Sequence, residues 1–159
     1  MAPADRERWN RKFREGHPAR EPSPRLAALT PLLARPLAVE LAAGWGANAA
    51  HLRAAGFTVF TVDIADVVRP DVLADLEYFT PRVADTIVCV RYLDRRAIAR
   101  WIEALRPGGT IFLEAHLSGI NPRYCLRRGE LRGLLSGLEE LHYEEGPGLA
   151  TVLSRRARE

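Results

Sequence analysis

The stretch "AVELAAGWGANAAHL", from Ala38 to Leu52, is predicted to run from a buried strand through a glycine loop into a helix. Gly44, Gly46 and Ala49 fit the G-x-G-x-x-G/A fingerprint, in which a helix N-terminus holds the pyrophosphate of a dinucleotide. Glu40, however, stands four residues before Gly44, at the end of the predicted strand. A carboxylate at this position repels an anion and attracts a cation. The glycine fingerprint therefore predicts an anionic ligand, whereas Glu40 predicts a cationic one.

Length and composition indicate one ordinary globular domain. The chain has 159 residues, 47% of them hydrophobic and 27% charged, and we expect a single domain over residues 1–159. The apolar runs are only strand-sized, so no membrane segment is expected, and we interpret the protein as cytoplasmic. The net charge is +3, and acids are interspersed among the basic residues, a pattern that does not favour a nucleic-acid partner.

Strand patterns and helix patterns alternate along the chain. Residues 1–36 are predicted to form a helical lid with helices at Asp5–Gly16 and Pro24–Ala34. The core, residues 37–155, is predicted to contain five strands before its last hairpin: 37–42, 57–63, 71–76, 85–93 and 110–117. Between them we expect helices at 47–55 and 95–106, with a further helix at 130–136. Segments 138–145 and 149–156 flank a tight turn and must be antiparallel. The predicted fold is α/β, a Rossmann-like sheet of order 3-2-1-4-5-7-6 with strand 7 reversed.

Two more acids follow the second and third predicted strands. Asp63 ends the second strand, where a carboxylate can accept hydrogen bonds from both hydroxyls of a ribose. Asp75 and Leu76 end the third, where the acid can accept the adenine amino group while the leucine packs on the ring. The carboxyl ends of parallel strands share one edge of a sheet, so these groups indicate an adenosine ligand in a crevice at that edge.

Glu40 distinguishes between two adenosine cofactors. S-adenosylmethionine carries a positive α-ammonium and a positive sulfonium and has no phosphate, so a carboxylate beside the glycines attracts it. A charge-assisted hydrogen bond of this kind is worth about 1.5–3 kcal/mol. The predicted cofactor is therefore S-adenosylmethionine. For this stretch taken alone, there is an alternative: Glu40 caps local backbone, and the glycines only allow a tight turn.

An ordered set of motifs resembles the class I S-adenosylmethionine-dependent methyltransferases, and most of all their small bacterial branch of tellurite-resistance and thiopurine methyltransferases. "VELAAGWGANAAHL" resembles the hydrophobic-acid-x-x-x-G-x-G-x-N-[AS]-x-x-L loop of that branch, and "RWNRKF" resembles its N-terminal W-x-x-x-[YF] helix. The segments that resemble its later motifs, in order, are "VDIA", "ADLE", "VRYLDR", "LRPGG", "FLEAHLSG" and "NPRYCLRRGEL". The resemblance runs from Arg8 to Val152.

This resemblance implies a class I methyltransferase sheet, S-adenosylmethionine as cofactor, and in-line methyl transfer to a small-molecule acceptor. The implied cofactor-binding residues are Glu40, Ala42, Gly44, Trp45, Gly46, Asn48, Asp63, Ile64, Asp75, Leu76 and Arg91. Ala42 and Trp45 depart from the pattern, since they replace a common glycine and a usually small or polar residue. The segment from Asp63 to Asp75 is also short and contains Pro70. We expect at most one helical turn there and a more open adenine side.

The sequence leaves the catalytic residues unassigned. Candidates on the acceptor side are Trp9 and Phe13, an i,i+4 aromatic pair that could form a lid, together with Arg91, Tyr92 and His116. In-line transfer from a sulfonium needs positioning above all, and a base only where the acceptor must lose a proton. No set of residues has metal-ligand spacing, so no metal is expected.

Two other functions stay open at this point. The short segment after the second strand is compatible with a non-catalytic protein that binds S-adenosylmethionine, S-adenosylhomocysteine or a protein partner. An NAD-dependent oxidoreductase is disfavoured by Glu40 and by the lack of a Lys/Tyr or His/Asp catalytic set. Neither the methyl acceptor nor the oligomeric state is indicated by the sequence.

Overall fold

The computed structural model describes residues 3–18, 21–119 and 121–159, and within them seven strands form one sheet. The strands are β1 (Leu37–Leu41), β2 (Thr58–Asp63), β3 (Val72–Leu73), β4 (Ala84–Val90), β5 (Leu105–His116), β6 (Glu139–Glu145) and β7 (Leu149–Arg155). The helices are α1 (Pro3–Glu15), α2 (Pro24–Leu29), α3 (Ala47–Ala54), α4 (Arg95–Ala104) and α5 (Glu130–Leu134).

The sheet has the order β3-β2-β1-β4-β5-β7-β6, as predicted from the sequence. β1 to β5 are parallel, and β7 runs antiparallel to both of its neighbours. The order reverses between β1 and β4, because β2 and β3 extend the sheet on one side and β5 on the other. Such a reversal leaves a crevice at the carboxyl ends of the strands, where α/β proteins bind ligands.

Helices cover both faces of the sheet and make two apolar cores. On one face Trp101 of α4 packs with Ile87 of β4, and both are almost fully buried. On the other face Leu26 of α2 and Leu52 of α3 pack with Phe112 of β5. Strands covered on both faces have no solvent side, which is why β1 and β4 read as nearly continuous apolar runs.

The connection from β2 to β3 is short and is covered by α1. Between Asp63 and Val72, which the structure describes throughout, the chain forms one 3₁₀ turn, Asp66–Val68. Nδ2 of Asn10 donates to Oδ1 of Asp66 at 2.6 Å, and the amide of Val67 donates to Oδ1 of Asn10 at 3.2 Å. The prediction of at most one helical turn is confirmed, and the N-terminal helix packs where the chain has no crossover helix of its own.

Several predicted elements have different bounds in the structure. The helix predicted to reach Ala34 ends at Leu29 and continues as a 3₁₀ turn, because Pro31 has no amide to donate to the preceding helical turn. The third strand is paired over two residues only, since the chain turns at Asp75, whose carbonyl accepts from the amide of Phe79. The fifth strand begins at Leu105, immediately after α4, and not beyond the glycines.

A bulge explains the early start of β5. Leu105 pairs with β4, the next pairing is at Thr110, and the intervening residues step out of the ladder. Gly109 lies where the backbone passes close to its neighbours. A Cβ atom at Gly109 would lie 2.8 Å from the carbonyl oxygen of Arg106 and 2.9 Å from that of Asp85. Only glycine fits this approach, because backbone atoms cannot swing aside as a side chain can.

We therefore expect Gly109→Ala to lower the free energy of unfolding by about 1–3 kcal/mol, the usual cost of overpacking. Gly137→Ala is the matched control, because a Cβ there meets nothing within 4 Å and the backbone is not left-handed. Urea unfolding of the two variants and the wild type measures the difference. Equal stability of all three proteins would contradict the close approach at Gly109.

Candidate functional site

A cavity of about 510 Å³ lies at the carboxyl ends of β1, β2 and β4, in the crevice where the strand order reverses. We call it the loop cavity, because the glycine loop forms one of its walls. Its lining residues come from α1 and the loops after it (Trp9, Lys12, Phe13, Gly16, His17 and 21–24), the glycine loop (42–48), the ends of β2 and β3 (Asp63, Ile64, Leu76) and the end of β4 (90–92).

The glycine loop is held in a conformation that few residues adopt. Gly44 and Gly46 have φ of 55° and 86°, in the left-handed region, which glycine occupies without steric cost. Ala42 also has a positive φ, 53°, at the position where the resembling family commonly has glycine. The loop turns back over β2, where the amide of Ala43 donates to the carbonyl of Val62 at 3.2 Å.

Asp63 holds this loop in place. Its Oδ2 accepts from the amide of Gly44 at 2.9 Å, and its Oδ1 accepts from the amide of Ala65 at 2.9 Å. The side chain is buried, and this burial raises the pKa of the carboxyl, while its backbone hydrogen bonds act in the opposite direction. Asp63 also lines the loop cavity, so it is placed both to shape the loop and to contact a ligand.

Glu40 lies beneath the cavity and not on its wall, contrary to the expectation that it points into the crevice. It is 1% exposed, and the Asn48 side chain, the donor beside it, meets neither carboxylate oxygen with the geometry of a full hydrogen bond. Burial raises the pKa of Glu40 from its ordinary 4.5 to about 8; the Asn48 side chain offsets part of this rise, and Asp63 adds to it. Without a cation beside it, Glu40 is therefore mostly protonated at neutral pH.

Ser23 connects the N-terminal segment to the site through three hydrogen bonds. Its amide donates to Oδ1 of Asn48 at 2.8 Å, and its hydroxyl donates to Oε1 of Glu114 at 2.8 Å. The hydroxyl also accepts from the amide of Leu26 and so caps α2. Local sequence does not reveal these bonds of Ser23, because partners 25 and 91 residues away leave no local pattern.

The end of β4 is fixed by Glu114. The amide of Arg91, which has a φ of 61°, donates to the carbonyl of Glu114 at 2.6 Å. The carboxylate of Glu114 is 1% exposed, and its Oε2 lies 3.7 Å from Nε of Arg91. This contact places the guanidinium of Arg91 at the cavity wall, next to Tyr92. Burial raises the pKa of Tyr92, so its phenol is neutral at ordinary pH.

Most of the other predicted site residues line the loop cavity. Nine do so besides Asp63, Arg91 and Tyr92: Trp9, Phe13, Ala42, Gly44, Trp45, Gly46, Asn48, Ile64 and Leu76. The rings of Trp9 and Phe13 are 5.9 Å apart, and Phe13 meets Trp45 edge-on at 6.2 Å. These three rings stand over the glycine loop on the α1 side.

Asp75 and His116 are not among the residues that line the cavity. Oδ1 of Asp75 accepts from the amide of Glu77 at 2.9 Å, so this carboxylate stabilises the turn after β3. His116 is exposed at the end of β5. Within residues 3–18, 21–119 and 121–159, no group of histidines, cysteines and acids is arranged to hold a metal ion. No helix in these ranges has the length and apolarity needed to cross a membrane.

Comparison with known proteins gives the fold a name. No protein-family model matches the chain, and no curated protein matches it. TehB from Haemophilus influenzae has a similar structure, with a TM-score of 0.74 and 16% identity; the match covers 95% of this chain and 66% of that one. This chain thus spans just under two thirds of TehB.

Two enzymes have the same architecture over nearly their whole length. The 1,6-didemethyltoxoflavin-N1-methyltransferase of Burkholderia thailandensis, solved with S-adenosylhomocysteine, matches with a TM-score of 0.72 and 15% identity over 99% of this chain and 91% of its own. An S-adenosylmethionine-dependent methyltransferase from Mesorhizobium loti matches with a TM-score of 0.68 and 19% identity. The match covers 84% of this chain and 96% of that one. The chain therefore has the fold of S-adenosylmethionine-dependent methyltransferases.

The buried Glu40 makes stability depend on pH. Between its ordinary pKa of 4.5 and about 8, the folded state binds a proton that the unfolded state has lost. The free energy of unfolding should therefore fall as the pH rises from about 5 to 8, and Glu40→Gln should remove this part of the decline. Urea unfolding of both proteins at pH 5, 6.5 and 8 tests it. A constant difference between the two proteins across this range would count against the buried, unpaired carboxyl.

Proposed function

We propose that this protein transfers a methyl group from S-adenosylmethionine to a small-molecule acceptor. The observation that carries the proposal is Glu40, a buried carboxyl beneath the glycine loop whose two oxygens accept no hydrogen bond of full geometry among the described residues. The Asn48 side chain offsets only part of the cost of burial. A buried polar group that is so poorly paired costs stability, so it needs an explanation. A cationic ligand beside the loop supplies one.

The surroundings of the loop cavity fit a cationic adenosine compound better than a dinucleotide. A pyrophosphate at the loop would face the carboxylate of Asp63 in a partly desolvated site and would give the buried Glu40 no opposite charge. The ammonium and sulfonium of S-adenosylmethionine carry the opposite sign and are attracted there. Two proteins of the same fold are described as S-adenosylmethionine-dependent and as bound to S-adenosylhomocysteine, which supports the same choice.

Each part of the cofactor has residues that would hold it. Asp63, at the end of β2, would accept hydrogen bonds from the ribose hydroxyls with the lone pairs that its backbone partners leave over. Leu76 and Ile64 supply apolar surface for the adenine. Asn48, on the cavity wall, would receive the methionine portion, and the buried Glu40 behind it would act through its charge. Asp75 is assigned to the adenine amino group from the sequence; it lies outside the cavity lining, and its Oδ1 accepts from the amide of Glu77, so its role toward the adenine stays a prediction.

The bound cofactor supplies a methyl group on a good leaving group, so this chain has mainly to position the two reactants. Alignment at attack distance can contribute about 7–11 kcal/mol. We propose that residues 1–36 act as a lid in which Trp9 and Phe13 exclude water from the loop cavity. Arg91 and Tyr92 would contact the acceptor. With its raised pKa, Tyr92 would donate a hydrogen bond and would not act as a base.

Calorimetric titration tests the proposal. We expect S-adenosylmethionine and S-adenosylhomocysteine to bind and NAD to bind far more weakly. A cation drives the proton off Glu40, so wild-type affinity for S-adenosylmethionine should rise between pH 6.0 and 7.5, with buffer-dependent heat from the released proton. Glu40→Gln should bind more weakly at pH 7.5, by up to about 1.5–3 kcal/mol, and show no proton release. Preferential binding of NAD by the wild type would overturn the proposal.

Asp63 gives a second test with a different signature. Asp63→Ala removes the ribose acceptor and also the partner of the Gly44 amide, so affinity should fall equally for S-adenosylmethionine and S-adenosylhomocysteine, which share the ribose. The loss should exceed that of Asp71→Ala. Asp71 is an exposed acid that binds Thr61 and Arg53 away from the loop cavity. Titrations of both variants with both ligands measure the loss of affinity for each. A loss confined to one ligand in Asp63→Ala would contradict the ribose assignment.

A further inference from the structure

A second cavity, of about 970 Å³, adjoins the loop cavity. Trp9 and Tyr92 line both, so the two spaces share a wall. The second cavity is bounded by α1, the turn after β3, the segment that leads into α4 and the 3₁₀ turn Pro122–Tyr124. A molecule in it would lie at the carboxyl edge of the sheet, next to the proposed cofactor site.

Arginine dominates the charge of this second cavity, which we call the arginine cavity. Five guanidinium groups line it, those of Arg8, Arg95, Arg96, Arg100 and Arg123, against three acids, Asp5, Asp94 and Glu77. Arg8 pairs with Asp5, and Arg95 pairs with Glu130 behind the wall. Asp94 is engaged as the N-cap of α4, where it accepts from two backbone amides.

Three of these arginines have no close acidic partner among the described residues. Among the residues that the structure describes, no carboxylate lies within ion-pair distance of Arg96, Arg100 or Arg123. Arg100 is held by neutral acceptors, the hydroxyl of Thr80 and the carbonyl of Glu77, at 3.2 and 3.1 Å. These bonds fix the guanidinium without cancelling its charge. The cavity therefore presents a positive surface to whatever enters it.

The remaining walls are aromatic. Tyr92 and Trp9 stand at the shared wall, and Tyr78 and Tyr124 are 75% and 40% exposed. Exposed aromatic rings and guanidinium planes both stack on flat, conjugated molecules. A positive surface between aromatic rings suits a flat anion.

We propose that the arginine cavity receives the methyl acceptor and that this acceptor is an aromatic compound with a carboxylate or phosphate group. This inference rests on the proposed function, since the shared wall formed by Trp9 and Tyr92 is what brings such a molecule beside the cofactor. Arg96 and Arg123 bind the anionic group, and the tyrosines hold the ring. Arginine is suited to this role because its planar fork matches both carboxylate and phosphate.

Binding of matched probes tests the inference without requiring turnover. The probes are 4-hydroxybenzoate, phenyl phosphate, and the neutral isostere 4-hydroxybenzamide, each titrated into protein saturated with S-adenosylhomocysteine. We expect both anions to bind about tenfold more tightly than the amide, the effect of one charge-assisted contact. Equal affinity for benzoate and benzamide, or no binding of either anion at millimolar concentration, overturns the proposal. A preference for only one anion identifies the acceptor's group.

Arginine variants locate the effect. The double variant Arg96→Gln, Arg123→Gln should lose most of the preference for the anion and keep its affinity for S-adenosylhomocysteine. Arg82→Gln is the matched control. Arg82 is exposed and lies before β4, at the amino ends of the strands, so its replacement should change neither the preference for the anion nor the affinity for S-adenosylhomocysteine. Loss of anion binding in the control, or its persistence in the double variant, overturns the proposal. If S-adenosylhomocysteine fails to bind the wild type, the proposed function fails instead.

Discussion

The carboxylate of Asp63 is the contact on which the rest of the site depends. It joins the glycine loop after β1 to the end of β2 by accepting from Gly44 on one oxygen and from Ala65 on the other. The parallel pairing of β1 and β2 brings the two segments together, and this carboxylate fixes their final turn. The arrangement costs stability, because it buries Asp63 beside Glu40 and holds Ala42 in a left-handed conformation. Such strain is commonly found where a protein binds a ligand.

The N-terminal segment is part of the site. Asn10 attaches α1 to the turn after β2, while Ser23 links the start of α2 to Asn48 of the glycine loop and to Glu114 of β5. The loop cavity thus has walls from two separate parts of the chain, residues 9–17 with 21–24, and residues between 42 and 92. A site made in this way is complete only when the N-terminal helices are docked on the sheet.

The sequence alone was sufficient for the fold, and most of the site residues that it predicted line one cavity. The strand order follows from alternating elements and one tight hairpin, and the glycine loop with Asp63 follows from local spacing. The features that the sequence could not predict depend on contacts between distant parts of the chain. The burial of Glu40 follows from the packing around its strand, and the bonds of Ser23 join residues far apart in sequence. Asp75 lies after β3, at the carboxyl ends of the strands, and its Oδ1 accepts from the amide of Glu77, a local bond that spacing does not reveal.

The two outer strands have a consequence for how the protein behaves at high concentration. An open sheet offers unpaired backbone groups at each edge, and long, flat, apolar edges recruit other chains into aggregates. Here one edge is β3, which is paired over two residues only, and the other is β6, whose sequence EELHYEE carries four glutamates. A strand so short gives an incoming chain little to pair with, and charged side chains along an edge strand disfavour pairing with another chain. The short β3 therefore disfavours fibrous assembly at one edge, as the charged side chains of β6 do at the other.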